Sequence, residues 1–237
     1  MGATVIIPTT GSPDLLQAVQ SVLDQTYKTD CYVVVDGKDN VVKTIELLEH
    51  LEQNDRLHIG ILPVNVGANG FYGHRVYAAF THLVNTNYVL YLDQDNWFKP
   101  THVEDCVKTI EDLGVDWCYS LRDIYEGDKF ICHDDCESLG KWKTYHGVNH
   151  VDTNSYCIRT KVAIQLAQAW HGGWGQDRVF LQAITKHFPK FYCTGEYTTC
   201  YRVDGGKGSV NAEFFENGNK VMNEKYNGVY PWRQKAS

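Results

Sequence analysis

Apolar and polar positions alternate along this chain with two interleaved periods. Residues 3–8, Ala-Thr-Val-Ile-Ile-Pro, form a short apolar run of buried-strand type that Pro8 stops. Ser12 then suits a helix N-cap with Pro13 at the first helical position, and Leu15, Leu16, Val19, Val22 and Leu23 fall on one helical face. The β-branched run Cys31-Tyr-Val-Val-Val35 predicts a second strand, and Ile45, Leu48 and Leu51 predict a helix over 41–53. Residues 57–62 read as a third strand ended by Pro63, followed by a helix over about 72–85 carrying Val76, Phe80, Leu83 and Val84. Tyr88–Leu92 is a fourth strand ended by Asp93, and Pro100 opens a helix with Val103, Val107 and Ile110 on one side.

Four strand–helix units in the first 112 residues imply an α/β fold, with a mostly parallel central sheet and helices on both faces. After residue 115 the pattern loosens. A strand over 116–121 precedes a polar stretch at 125–150, a strand at Ser155–Ile158, and helices near 160–170 and 177–187. Residues 203–219 are rich in Gly and Asn and read as loop. No internal repeat and no long linker divides the 237 residues, so one domain is expected.

Composition narrows the possibilities further. Charged residues make up 22% and the net charge is −7, which argues against general binding to nucleic acid or an anionic membrane. No apolar stretch reaches the 18 or so residues of a membrane span, and the N-terminus lacks a signal-peptide pattern, so a cytoplasmic location is expected. Eight scattered cysteines read as reduced thiols packed as small hydrophobes. Cys132, Cys136, His146 and His150 fall near zinc-site spacing, though the middle gap is short, and a polar loop is the plainer reading. Aromatic residues reach 13%, enough for a large core and for a wall against sugar rings.

In open α/β sheets ligands bind beyond the carboxyl ends of the strands. Pro8-Thr9-Thr10, Asp36, Asn65-Val-Gly67 and Asp93 all fall there. Asp93-Gln94-Asp95 follows an apolar strand directly, and two carboxylates so placed can turn toward one hard cation such as Mg²⁺ or Mn²⁺.

Val5-Ile-Ile-Pro-Thr-Thr10, Val33-Val-Val-Asp-Gly37, Asn65-Val-Gly67 and Tyr91-Leu-Asp-Gln-Asp95 stand in the order and spacing of family 2 glycosyltransferases of GT-A fold. Gly172-Gly-Trp-Gly-Gln-Asp177 resembles that family's later Gly-x-x-Glu-Asp segment. Tyr201-Arg-Val-Asp-Gly-Gly206 with Ser209 resembles its C-terminal loop. The resemblance covers about residues 3–210. It implies a metal-dependent, inverting transferase that moves a sugar from a nucleoside diphosphate, UDP by family habit, to a hydroxyl of a glycan or other acceptor. Pro8, Thr9, Thr10, Asp36, Asn65, Gly67, Arg75, Asp93 and Arg202 would then contact the donor. Asp93, Asp95 and Asp204 would hold Mn²⁺ or Mg²⁺, and Asp177 would be the catalytic base. Trp174 and Gln176 would face the acceptor, with His171, Trp170 or Tyr145 as further walls, although the spacing of Trp170 from Leu166 is that of a core residue. On this reading residues 1–112 bind the nucleotide sugar, 113–212 carry the acceptor and catalytic half, and 213–237 form a tail. Two departures stand out: Gln176 replaces the family's usual Glu, and Asp204 stands where many members have His. Lys207 joins Arg202 as a candidate for the diphosphate.

A competing pattern exists. Gly67, Gly70 and Gly73 read G-x-x-G-x-x-G, with Asp93 ending the next strand and Tyr125 and Lys129 spaced as Tyr-x-x-x-Lys, as in NAD(P)-dependent epimerases and dehydrogenases. Four residues separate the strand from Gly67, and two strand–helix units precede it, both unlike that fingerprint. A third possibility is a GT-A-like domain that binds a nucleotide sugar without turnover. The presence of both Asp95 and Asp177 argues against it.

Overall fold

The computed structural model describes residues 2–51, 53–203 and 210–234. Its first half follows the hydrophobic pattern closely: β1 (Ala3–Thr9), α1 (Leu15–Leu23), β2 (Thr29–Val35), α2 (Val41–Leu48), β3 (Leu57–Ile61), α3 (His74–Phe80) and β4 (Tyr88–Tyr91). The second half comprises β5 (Trp97–Phe98), α4 (His102–Leu113), β6 (Trp117–Glu126), β7 (Lys129–His133), β8 (Tyr156–Arg159), α5 (Thr160–Leu166), α6 (Gln176–His187), β9 (Phe191–Arg202) and α7 (Ala212–Tyr226).

One nine-stranded sheet joins the halves in the order β3-β2-β1-β4-β8-β6-β9-β5, with β7 beside β6. The first four strands are parallel, β8 is antiparallel to both neighbours, and β6 pairs β9 in parallel. Strand periodicity sorts the core into two layers. Ala3, Val5 and Ile7 of β1 and Leu90 of β4 meet α1, α2 and α4 on one face. Ile6, Val89 and Tyr91 meet α3, α5, α6 and α7 on the other.

Two expectations need correction, and one strand was not expected. The first helix begins at Leu15, and Ser12 instead accepts from the Asp14 N–H at 3.3 Å, closing the turn that leads into it. Residues 191–202 form a long strand that its own sequence disguises. Gly195, at φ +75°, and Glu196 interrupt the apolar run where the register against β6 shifts. Residues 212–219 of the Gly- and Asn-rich segment, expected as loop, belong to helix α7, and residues 204–209 lie outside the described residues. Asn211 caps α7 by accepting from the Phe214 N–H at 3.0 Å, and Asn227 ends it at φ +51°. Gly218 lies inside that helix because a Cβ there would come 2.6 Å from Cys136 Sγ. The expected tail is therefore a packed element, with Phe215, Met222 and Trp232 fully buried.

Candidate active site

The carboxyl ends of β1, β2 and β4 open into a cavity of about 730 Å³. Pro8, Thr9, Thr10, Asp36, Asn65, Gly67, Asp93, Asp95, Trp174, Asp177 and Arg202 are among the residues that line it. The sheet thus gathers most of the residues singled out from the sequence.

Asp36, which follows β2, is almost fully buried, and its two carboxylate oxygens accept from the Val66 and Gly67 N–H groups at 2.7 and 2.8 Å. This brings the 65–73 loop down onto the sheet edge. Only glycine fits at 67, because a Cβ would lie 2.2 Å from the Tyr72 carbonyl oxygen and 2.8 Å from Asp36 Oδ2. Arg75 supports this loop from outside the cavity, its guanidinium 3.3 Å from the Phe71 ring centroid. Gln94 fastens the loop after β1: its Oε1 accepts from Thr9 Oγ1 at 2.7 Å and from the Thr10 N–H at 3.0 Å.

Asp93 is held from both sides. Tyr77 donates to Oδ1 at 2.8 Å, Asn154 Nδ2 donates to Oδ2 at 3.0 Å, and Asn154 Oδ1 accepts from the Asp93 N–H at 2.6 Å. Burial and the nearby Asp152 charge push its carboxyl above the usual range. Asp95, desolvated and facing the Asp93 charge, is pushed up to about 7. Among the described residues neither carboxylate has an ion-pair partner within 4.0 Å. Two neighbouring desolvated carboxylates without a cationic partner are the donor set a hard divalent cation satisfies, so the residues present fit one.

Arg202, at the end of β9, donates from Nε to the Asp95 carbonyl at 3.2 Å and from Nη2 to Gln17 Oε1, while its backbone N–H reaches Asn96 Oδ1 at 2.9 Å. Asp204 and Lys207 lie outside the described residues.

Asp177 lines the same cavity from the first turn of α6, where Gly175 at φ +80° starts the helix. Its Oδ1 accepts from the Arg178 N–H at 2.7 Å. Burial raises its carboxyl and the His150 charge pulls it back part of the way. Trp174 lines the cavity and is 73% exposed, with the Arg178 guanidinium 5.8 Å from its ring centroid. Gln176 is placed elsewhere: its Nε2 donates to the Ala169 carbonyl at 2.6 Å, beneath Gly172 and outside the cavity lining. Trp170 is fully buried and stacks on Phe180 at 4.0 Å, as its helical spacing predicts.

A buried ion network that borders the cavity was not legible in the sequence. Arg122 of β6 donates to Asp134 (2.8 Å), Glu137 (2.9 Å) and Asp152 (2.7 Å). Asp152 in turn accepts from Asn154 Nδ2 at 2.7 Å, which links the network to Asp93. The one available signal was Asp152-Thr-Asn154, a D-x-N that stands just before β8 where Asp93-Gln-Asp95 stands just after β4. The Cys132, Cys136, His146 and His150 spacing makes no metal site: His150 contacts Glu137, and Cys136 Sγ lies 3.5 Å from Asp134 Oδ1. Among the described residues the one cluster of three potential ligands is Cys106, Cys118 and Cys157, fully buried under α4. Sheet order also separates the strand before Gly67 from the strand before Asp93, since β2 and β1 stand between β3 and β4. In the dinucleotide fingerprint those strands are neighbours.

A family model described as Glycosyl transferase family 2 matches residues 4–187. A comparison with curated protein sequences finds no match. Among solved structures, S. aureus TarS 1–349 in complex with UDP is 15% identical with a TM-score of 0.64, covering 97% of this chain and 66% of that one. TarS 1–349 in complex with UDP-GlcNAc is 14% identical with a TM-score of 0.66, covering 97% and 67%. Against a longer TarS structure the chain spans 40% of the length. These likenesses bear on the fold. Among the described residues no helix is long and apolar enough to cross a membrane.

Proposed function

The chain belongs to glycosyl transferase family 2, and from that premise we propose that it transfers a sugar from a UDP-sugar to a hydroxyl of a glycan or other acceptor, in the cytoplasm, with inversion. The observation that carries this reading is the cavity itself, which is lined by the carboxylate pair Asp93 and Asp95 and by a separate carboxylate, Asp177. The TarS complexes with UDP and UDP-GlcNAc support a UDP-sugar as donor.

Asp36 and the Gly67 loop would seat the base and ribose, with Thr9 and Thr10 held in place by Gln94. Asp93 and Asp95 would hold Mn²⁺ or Mg²⁺. Such an ion supplies charge neutralisation to the leaving diphosphate. Arg202, anchored beside Asp95, adds positive charge at the same end. Asp177 would accept the proton of the acceptor hydroxyl as it attacks the sugar, and its raised proton affinity suits a general base near neutral pH. Direct attack of the activated hydroxyl on the sugar with departure of the diphosphate is a single displacement, hence inversion. Trp174 offers the acceptor an apolar ring.

The test is incubation with Mn²⁺ and a panel of nucleotide sugars including UDP-GlcNAc, following nucleotide release and binding. Release or binding that disappears with EDTA and in Asp95→Ala supports the reading. Absence of any nucleotide-sugar binding, or binding indifferent to both, overturns it. Asp177→Asn should bind donor and lose about 100-fold or more of turnover.

A further inference from the structure

A histidine stands directly behind Asp177. His150 is 4% exposed, and one atom makes its polar contacts: Nε2 lies 3.1 Å from Glu137 Oε2 and 3.5 Å from Asp177 Oδ2. Its Nδ1 is buried without a hydrogen-bond partner among the described residues. An apolar side chain would fill this space without that unpaired nitrogen, so what the ring adds is an N–H and a charge delivered to two acids. Glu137 cannot swing away, because Arg122 Nη2 donates to the same oxygen at 2.9 Å. Asp177 is gripped on its other oxygen by the Arg178 N–H, which leaves Oδ2 facing His150. Glu137, His150 and Asp177 all line the cavity.

We infer that His150 is the positioning residue for Asp177: anchored by Glu137, it fixes the direction of that carboxylate and holds its negative charge at the cavity wall. This rests on the assignment of Asp177 as base. The groups that face the pair are Glu137 from the loop after β7, Arg122 from β6, Asp152 and Tyr156 from before and within β8, and Arg178 from α6. Burial opposes a charged His150, but the Glu137 and Asp177 carboxylates outweigh it and hold its proton above the usual histidine range. For Asp177 burial and the Asp152 and Glu137 charges favour the protonated acid, and His150 opposes them. Without the histidine the base would carry its proton to higher pH and stand idle there.

The experiment is a carboxyl ¹³C NMR titration of Asp177, assigned with Asp177→Asn, in the wild-type protein and in His150→Gln. No ligand is needed. The Asp177 midpoint should rise by about one to three pH units in His150→Gln, the span an opposite charge at this distance commands. With the donor found active in the panel, the acid limb of turnover should move up by the same amount and activity should recover at high pH, with donor affinity unchanged. An unmoved midpoint, or a loss of turnover equal at every pH, overturns the inference. Should His150→Gln fail to fold, Glu137→Gln serves: the His150 ring must then titrate lower, and an unchanged ring refutes the anchoring. Full turnover in Asp177→Asn would instead remove the base assignment, a distinct failure.

Discussion

Replacing Asp95 by Asn should make the cation-free protein more stable, and only above acidic pH. The Asp95 carboxyl is pushed from an ordinary 3.8 to about 7 by burial and by the Asp93 charge. Between those values the folded chain binds a proton that the unfolded chain has released. Stability therefore falls as pH rises from about 4 to about 7, and the full penalty stands above 7. At about 1.36 kcal/mol per pH unit the penalty has a ceiling of about 4 kcal/mol. For a chain of this size each kcal/mol moves the melting point by about 2–4 °C. In EDTA at pH 8, Asp95→Asn should then melt up to about 16 °C above wild type, with the gap narrowing to a small remnant near pH 4.5. Adding Mn²⁺ at pH 8 should raise the wild-type melt and leave the variant's in place. Thermal melts followed by circular dichroism, across pH with and without Mn²⁺, measure all of this. Equal melts at pH 8, or a gap that persists in acid, would refute the reasoning, because both would mean that Asp95 carries no electrostatic penalty.

Gly67→Ala should weaken UDP binding about tenfold or more by calorimetric titration, since its Cβ meets the Tyr72 carbonyl at 2.2 Å and displaces the loop that Asp36 holds. Arg122→Leu should cost about 3–5 kcal/mol in urea unfolding, because it strands Asp134, Glu137 and Asp152 without their shared cation. A native thiol titration should find about one fast-reacting cysteine, Cys132, with the other seven of the eight buried until the chain unfolds; several fast thiols would show that the core is loosely closed.

Much of this molecule was legible before folding. The period-2 and period-3.6 patterns located β1 to β4 and their helices because each repeat buries one face locally, and a parallel sheet leaves strands of unbroken apolar residues. The ends of those strands then had to be one edge, which is why Thr9, Asp36, Gly67, Asp93 and Asp95 were found together from their order alone. Legibility failed where local pattern and tertiary contact disagree. The bulge at Gly195 hid β9, and Gly218 looked like a loop residue although it is small for the sake of Cys136. Gln176 stood beside Asp177 in sequence, but helix geometry turned its amide back to Ala169.

What the sequence determined by itself was the family, the sheet edge and that Asp36, Asp93, Asp95 and Asp177 share one cavity. What only the tertiary structure decided was how those carboxylates are held. Arg122, Asp152 and Asn154 reach Asp93, and Glu137 and His150 reach Asp177, from segments up to 61 residues apart in the chain. A polar residue's worth depends on which partners share its low-dielectric surroundings, and no periodicity records that.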